Sequence, residues 1–197
     1  MFVRIRRVAV TAASALALGA VAVPAAQANI LSLLPGSCGS QTESQPFAAF
    51  GDSNSYTLIP GGDFQAGSFP WLMTGGASSG NGSLSLPAGS SAISPANCTS
   101  IYHPTARLFV RNTGSPSSHL IVQALYPGLL GGVQTATIGD ITGSSTWSPS
   151  PAMSIQGQNL LATLSLSKTV IAFRFVPADG SGSWSIDGVY LDPYGRR

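Results

Sequence analysis

Residues 105–112 read Thr-Ala-Arg-Leu-Phe-Val-Arg-Asn, and apolar residues occupy every second position from 106 to 110. Arg107, Phe109 and Arg111 fall in the opposite phase. Because successive side chains of a β-strand point to opposite faces of its sheet, this pattern predicts a strand with one apolar face and one mixed face. The stretch therefore favours a sheet that is buried on one side and accessible on the other.

Two more segments alternate in the same way. The mixed face of residues 119–126 carries Gln123, and that of residues 169–176 carries Arg174. The remaining candidate strands, separated by Gly- and Pro-rich turns, are residues 56–59, 69–74, 83–86, 133–138 and 184–191. Short, evenly spaced strands with such turns predict an all-β fold, an antiparallel β-sandwich. Only residues 156–165 have apolar spacing that suits a short helix.

The last candidate strand, residues 184–191, reads Trp-Ser-Ile-Asp-Gly-Val-Tyr-Leu and breaks the alternation. Its first two large apolar residues share one phase, and its last two share the other. A one-residue bulge at residues 187–188 would direct all four into the core, with glycine supplying the unusual backbone conformation.

The N-terminus has the features of a secretory signal peptide. Three arginines in the first seven residues precede an apolar run over residues 8–23, and Ala26 and Ala28 are the small residues that signal peptidase requires. A retained membrane anchor is the alternative. The predicted organisation is a signal peptide at 1–28, an N-terminal arm or loop at 29–54, and a single β-sandwich domain at 55–197.

Cleavage would change the charge of the chain. The 197 residues include nine Lys and Arg and seven Asp and Glu, which gives a formal net charge of +2. Subtracting the three N-terminal arginines leaves six basic residues against seven acidic ones, or −1. Nucleic-acid binding requires a basic surface, so we expect no nucleic-acid partner. We also expect no membrane span after cleavage and a secreted, extracellular location.

The two cysteines, Cys38 and Cys98, both lie in the part expected outside the cell. Oxidising conditions there favour a disulfide between them. By closing the loop between the two cysteines, the disulfide would stabilise the folded state by roughly 4 kcal/mol. Lipidation of Cys38 is the alternative, but Pro35 stands at the position where such a site has Leu.

Two short motifs carry a family resemblance. Residues 60–67, Pro-Gly-Gly-Asp-Phe-Gln-Ala-Gly, followed by Trp71, are similar to the opening of galactose-binding-like jelly rolls, and residues 184–192 resemble their closing strand. These jelly rolls include several families of carbohydrate-binding modules, and the pattern is also similar to that of actinobacterial secreted proteins of about this length. The resemblance implies a jelly roll, with Trp71 and Trp184 in its core.

The resemblance also bears on calcium. Such modules often hold a structural calcium with a Glu of the first motif and an Asp of the last strand, where this sequence has Gln65 and Gly188. Asp63 and Asp187 remain as carboxylate ligands, although Ca²⁺ prefers several such oxygens. Alternatively, Asp63 caps a turn and Asp187 stabilises the bulge. We expect no other cofactor.

A binding surface is the functional expectation. Sugar recognition combines an aromatic platform with planar polar groups, and an Arg guanidinium suits hydroxyls or a uronate carboxylate. The candidate ligand-binding residues, on the mixed faces or in adjoining loops, are Arg107, Phe109, Arg111, Gln123, Arg174 and Trp147. Together with the signal peptide and the family resemblance, they predict a secreted, non-catalytic module that binds a polysaccharide or glycan. The alternative is that these residues form an ordinary solvated face. The protein would then be a structural or adhesive envelope protein that makes only protein contacts.

Catalysis is not expected. Residues 76–80 match the G-x-S-x-G pattern around Ser78, but glycine-rich turns on both sides predict a hairpin loop and not the strand–turn–helix that a hydrolase needs. The only Glu, Glu43, lies in the N-terminal arm, so no carboxylate pair for a glycosidase is evident.

Overall fold

Two antiparallel sheets pack face to face in the computed structural model, which describes residues 42–65, 71–100, 102–129, 132–164, 170–178 and 180–192. The strands, in chain order, are β1 (Glu43–Ser44), β2 (Tyr56–Leu58), β3 (Leu72–Thr74), β4 (Ser78–Gly80), β5 (Ser83–Leu86), β6 (Ser91–Ile93), β7 (Asn97–Cys98), β8 (Thr105–Asn112), β9 (Leu120–Pro127), β10 (Val133–Ile141), β11 (Ser148–Pro149), β12 (Met153–Ser154), β13 (Val170–Pro177) and β14 (Trp184–Leu191). The helix α1 (Gln156–Leu164) and a 3-10 turn (Ala48–Phe50) accompany them.

Sheet A has eight strands and sheet B has six. In sheet A, β14 pairs with β8 on one side and with β2 and β5 on the other. In sheet B, β13 pairs with β9 on one side and with β6 and β7 on the other. Among the described strands the chain changes sheet eight times, at β2–β3, β3–β4, β5–β6, β7–β8, β8–β9, β10–β11, β12–β13 and β13–β14. Such crossings are typical of a jelly roll, so the predicted antiparallel β-sandwich of jelly-roll type is confirmed.

The core lies between the sheets and contains the residues that the alternation assigned to it. Leu108 of sheet A and Val122 and Phe173 of sheet B are fully buried in one hydrophobic cluster. Trp71 and Trp184 are buried in the same cluster, as predicted. The helix also forms where apolar spacing placed it, at α1.

The predicted bulge in β14 is confirmed. The pairing of β14 with β8 shifts register between Asp187 and Tyr190. Gly188 has a φ of 52°, in the left-handed region that favours glycine. The shift buries the apolar residues on both sides of it, from Trp184 to Leu191.

The turn of the first motif packs against this bulge. The backbone N of Ile59 donates to the carbonyl of Val189 at 3.0 Å, and the N of Val189 donates to the carbonyl of Gly62 at 3.2 Å. A Cβ on Gly62 would lie 2.9 Å from Ile59 and 3.0 Å from the Val189 carbonyl, so this close approach requires glycine. Two motifs far apart in sequence therefore form one structural unit.

Six strands were not predicted: β1, β4, β6, β7, β11 and β12. Each has only two or three residues, in segments rich in Ser, Gly or Pro and without clear alternation. They form because longer strands offer them backbone partners. β1 and the fully buried Phe47 belong to the segment expected as an arm or loop, and both are integrated into the sandwich through sheet A.

Some sequence predictions fall outside the described residues. These include the signal peptide at 1–28 and Cys38, the expected partner of Cys98. Cys98 itself lies on β7, opposite Val170, and the disulfide stays a prediction. Across the described ranges, no helix is long and apolar enough to cross a membrane.

Candidate functional site

The six predicted ligand-binding residues lie on opposite outer faces of the sandwich. Four of them lie on β8 or just before β11, in sheet A: Arg107, Phe109, Arg111 and Trp147. The other two, Gln123 on β9 and Arg174 on β13, belong to sheet B. Alternation reveals which side of its own sheet a residue occupies, but not which sheet its strand joins. One groove cannot contain all six residues, and their individual roles in binding stay predictions.

Arg107 is tied into the fold. Its Nη1 forms an ion pair with Asp52, and its Nε donates to the carbonyl of Ser150 at 2.8 Å. Its guanidinium lies 4.7 Å from the ring centre of Phe47, which covers this part of sheet A. These contacts show that Arg107 holds the N-terminal segment on β8, which leaves little of its guanidinium for a ligand.

Asp52 is the acceptor at the centre of this contact. It also accepts hydrogen bonds from the Tyr56 hydroxyl at 2.6 Å and from the backbone N of Asn54 at 3.1 Å. Burial raises the pKa of Asp52, but the hydrogen bonds and the charge of Arg107 outweigh burial and hold the pKa below its ordinary value of 3.8. Burial and the bond to Asp52 raise the pKa of Tyr56 to about 12. At neutral pH the network therefore contains a carboxylate, a guanidinium and a neutral hydroxyl.

Phe109 is not an open stacking platform. Its ring centre lies 4.9 Å from that of Phe47 and 5.8 Å from that of Phe50. These neighbours leave Phe109 only partly exposed. Of the two platforms proposed from the sequence, Trp147 is the more accessible, with 38% of its surface exposed.

Arg111 and Trp147 stand at one end of a row of side chains on the outer face of sheet A. The Arg111 guanidinium lies 5.0 Å from the ring centre of Trp147. Strand register places Arg111 opposite Ser185, Ser185 opposite Ser85, and Ser85 opposite Ser78. We call these five residues the Trp147–Arg111 surface.

A second row crosses the outer face of sheet B. Gln123 lies directly opposite Arg174, and the row continues to Thr137 on one side and to Ile93 and Leu72 on the other. The Oε1 of Gln123 and the Nε of Arg174 are buried, and neither has a hydrogen-bond partner among the described residues. We call these five residues the Gln123–Arg174 surface.

The two predicted calcium ligands lie close enough for their charges to interact. Burial raises the pKa of Asp187, the hydrogen bond from Gly188 opposes this, and the charge of Asp63 raises it again, so that the pKa exceeds its ordinary value of 3.8. Asp187 accepts from the N of Gly188 at 2.6 Å, and Asp63 accepts from the N of Gln65 at 3.3 Å. These bonds fit the alternative roles of a bulge-stabilising and a turn-capping aspartate.

Asp63 and Asp187 offer fewer ligands than calcium needs. Ca²⁺ takes six to eight oxygen ligands, usually with several carboxylates. Within the described residues there is no group of three or more His, Cys, Asp or Glu placed to hold a metal. Asp63 and Asp187 alone do not fit such a site, and calcium binding stays a prediction.

Ser78 and the two histidines do not form a catalytic arrangement among the described residues. Ser78 was expected in a loop but lies on β4, and its strand leads into β5 and not into a helix. The Nδ1 of His103 lies 3.1 Å from both the backbone N and the Oγ of Ser100, within one turn, and burial lowers the pKa of His103 below 6.5. His119 pairs with Asp140 at 2.7 Å on an exposed part of the surface.

Comparison with known proteins gives structural matches only. No protein-family model and no curated protein sequence matches this chain. The CBM22-1 xylan-binding domain of Paenibacillus barcinonensis Xyn10C matches with 12% identity and a TM-score of 0.48, over 66% of this chain and 90% of that one. The family 11 carbohydrate-binding module of Clostridium thermocellum, in complex with a β-1,3-1,4-mixed-linked tetrasaccharide, matches with 16% identity and a TM-score of 0.43, over 71% and 96%.

Carbohydrate-binding modules are among the solved structures similar to this chain. The enzymatically active domain of tailspike protein 4 from bacteriophage CBA120 also matches, with 16% identity and a TM-score of 0.46, over 68% of this chain and 21% of that one. The modules are of the class that the two sequence motifs indicated, and an actinobacterial origin is not shown.

The serines of the Trp147–Arg111 surface were missed as site residues. The chain has 29 serines, so no single one stands out in the sequence. The Ser-Leu-Ser-Leu alternation of β5 could have shown that Ser85 faces outward. Its alignment with Ser185 and Arg111, however, depends on pairing between strands that are distant in sequence.

Proposed function

We propose that the protein is a non-catalytic carbohydrate-binding module and that it binds through the Gln123–Arg174 surface. The observation that carries this proposal is the pair at its centre, where a buried acceptor and a buried donor lie on adjacent strands without partners in the described structure. Each such unsatisfied atom costs about 1–3 kcal/mol. Both side chains are otherwise partly exposed, and a sugar hydroxyl both donates and accepts, so hydroxyl groups can bind the accessible parts of Gln123 and Arg174 together.

The rest of the surface suits the two sides of a sugar ring. Thr137 adds an exposed hydroxyl beside Gln123, whereas Ile93 and Leu72 add aliphatic surface beyond Arg174. Leu72 is 41% exposed, so this apolar end is accessible. Polar groups that orient a ligand next to apolar contact surface are typical of ligand sites.

The charges of this surface support binding without catalysis. Arg174 forms no ion pair with a carboxylate of the described residues, so its full charge is available to a ligand. None of the five residues is acidic, whereas glycoside hydrolysis requires a pair of carboxylates across the scissile bond. The surface can therefore hold a sugar, but it lacks the acid and base that would cleave one.

We also propose that the protein is exported and that a Cys38–Cys98 disulfide forms afterwards. The basic N-terminus, the apolar run and the Ala26–Ala28 site support export. Mass spectrometry of the secreted protein should show an N-terminus at Asn29 and no thiol reactive towards iodoacetamide under denaturing conditions. A retained N-terminus or two reactive thiols would contradict this part of the proposal.

One observation favours the second candidate function, contact with other proteins. Leu160 and Leu164 of α1 and Leu129 of the β9–β10 connection are large apolar side chains exposed to solvent. Leu129 lines a groove of about 340 Å³ together with Tyr126 and Leu161. Contiguous exposed apolar surface often marks a protein interface.

The proposed function is tested by screening the secreted protein on a glycan array and on insoluble polysaccharides that include xylan and a β-1,3-1,4-glucan. In a Trp147→Ala background, which removes the aromatic platform on the opposite face, Arg174→Ala should weaken binding at least tenfold, about 1.4 kcal/mol. Arg174→Lys keeps the charge without the planar fork and serves as the matched variant. If no glycan binds, or if Arg174→Ala binds as tightly as its Trp147→Ala background, the Gln123–Arg174 surface does not have this role.

A further inference from the structure

Two arginines on the same face of β8 have different surroundings. Arg107 is held by Asp52 and Ser150, and its guanidinium covers Phe47. Arg111 has neither an ion pair nor a hydrogen bond to another described residue, and its buried Nε has no partner there. The fold therefore uses Arg107 for its own stability and leaves the exposed part of the Arg111 side chain available to a ligand.

Trp147 likewise differs from the other two tryptophans. Trp71 and Trp184 are buried in the core, whereas Trp147 keeps 38% of its surface exposed. It immediately precedes β11, whose pairing with β8 fixes the backbone at this point. The Arg111 guanidinium lies over its ring and restrains the orientation of the indole. An oriented, accessible indole provides a flat surface on which a sugar ring can stack.

The serines extend this platform across the sheet. Ser185, Ser85 and Ser78 continue the row from Arg111 over three more strands. At an inter-strand spacing of about 4.8 Å, the row from Arg111 to Ser78 spans roughly 14 Å. The exposed hydroxyls of Ser85 and Ser78 can donate or accept a hydrogen bond, whereas Ser185 is buried in the row between Ser85 and Arg111.

We propose that the Trp147–Arg111 surface is a second carbohydrate-binding surface, on which one sugar ring of a polysaccharide stacks on the face of Trp147 that Arg111 leaves open, while hydroxyls of neighbouring rings bind Arg111, Ser85 and Ser78. The ligand class, a carbohydrate, rests on the proposed function. The residues of this second surface are not part of the Gln123–Arg174 surface. The two surfaces lie on opposite sides of two sheets packed about 10 Å apart, so one sugar ring cannot reach both. The protein can therefore bind two polysaccharide chains and bridge them.

Iodide quenching of tryptophan fluorescence tests the second surface directly, because Trp147 is the exposed one of the three tryptophans. The probes are soluble arabinoxylan, mixed-linkage β-glucan and polygalacturonate. At least one of them should protect Trp147 from iodide, both in the parent and in Arg174→Ala. Trp147→Ala and Arg111→Ala should each weaken binding by that second surface at least tenfold in the Arg174→Ala background.

Phe50→Ala is the matched control, because Phe50 is a 55% exposed ring near sheet A that lies outside the row. This variant should bind and bridge like the parent. Bridging is measured as polymer sedimented by the protein at low speed. The parent should sediment the polymer, whereas Trp147→Ala and Arg174→Ala should each bind it without sedimenting it. Thermal unfolding of every variant establishes that it is folded.

The outcomes separate the two proposals. If none of the three polymers protects Trp147, or if Trp147→Ala binds and sediments polymer like the parent, the second surface is wrong. Binding that still depends on Arg174 would then leave the proposed function intact. If Trp147 is protected and Arg174→Ala has no effect on binding or sedimentation, the second surface stands alone and bridging between the two faces is refuted.

Discussion

Replacing Gln123 by Glu should make the protein more stable and bind carbohydrate less well. Gln123 and Arg174 are directly opposite on adjacent strands, and each has a buried polar atom without a partner among the described residues. A carboxylate at position 123 would form an ion pair with Arg174. With this substitution, Arg174 would bind residue 123 and would no longer be available to the ligand.

The size of the stability gain follows from this geometry. Oppositely charged cross-strand pairs contribute about 0.2–1 kcal/mol, and relieving unsatisfied buried atoms adds to this. Because both side chains are partly exposed, we expect a net gain of about 1 kcal/mol, or a Tm higher by about 2–4 °C for a chain of this size. The new carboxyl has a lowered pKa in the folded state, so the gain is present above about pH 4.3 and disappears as the pH falls through the folded-state pKa.

Thermal unfolding measured at several pH values tests the stability effect, and isothermal titration calorimetry tests binding. Thr137→Glu is the matched control, because it adds the same charge to the same face, next to Gln123 and not opposite Arg174. We expect that control to change stability by less than about 0.5 kcal/mol. A Gln123→Glu variant with an unchanged Tm, or with an unchanged affinity in the Trp147→Ala background, would refute the reasoning.

Three further predictions concern the fold around sheet A. Asp52→Asn should lower the free energy of unfolding, measured with urea, by about 1–3 kcal/mol at neutral pH. Folding lowers the pKa of Asp52 below 3.8, so the stability difference between the parent and the variant should disappear as the pH falls through that lowered pKa. Folding raises the pKa of Asp187, so its ionised carboxylate destabilises the fold, and Asp187→Asn should raise Tm at neutral pH in calcium-free buffer. The increase in Tm should shrink at acidic pH, where the parent carboxyl is protonated. A lower Tm of the variant at neutral pH would contradict this prediction. Gly188→Ala should lower the stability of the fold by roughly 1–3 kcal/mol, because φ at this residue is 52° and the new Cβ would lie 2.7 Å from the Tyr190 ring. Gly180→Ala is the control in the same thermal scans: its new Cβ has no atom within 4 Å, so it should have little effect.

Local pattern was enough to predict the long strands and the faces of their residues. The alternation in β8, β9 and β13 and the bulge at Gly188 depend on a few neighbouring residues, and all four features are present. Pairing over long distances was not predictable in this way. Asp52 reaches Arg107 across 55 positions, and only the assembled sheets show that Arg107 and Arg174 lie on opposite faces.

The central claim is that Arg174 contacts a carbohydrate. It is tested most directly by isothermal titration of the parent and of Arg174→Ala with the oligosaccharide that binds best on the array, at matched protein concentration and with Tm recorded for both. Trp147→Ala is included in the titration so that binding on the opposite face is measured separately. We predict that Arg174→Ala, in the Trp147→Ala background, binds at least tenfold more weakly while its Tm stays within a few degrees of that of the parent. Equal affinities in that background, with both proteins folded, would contradict the claim.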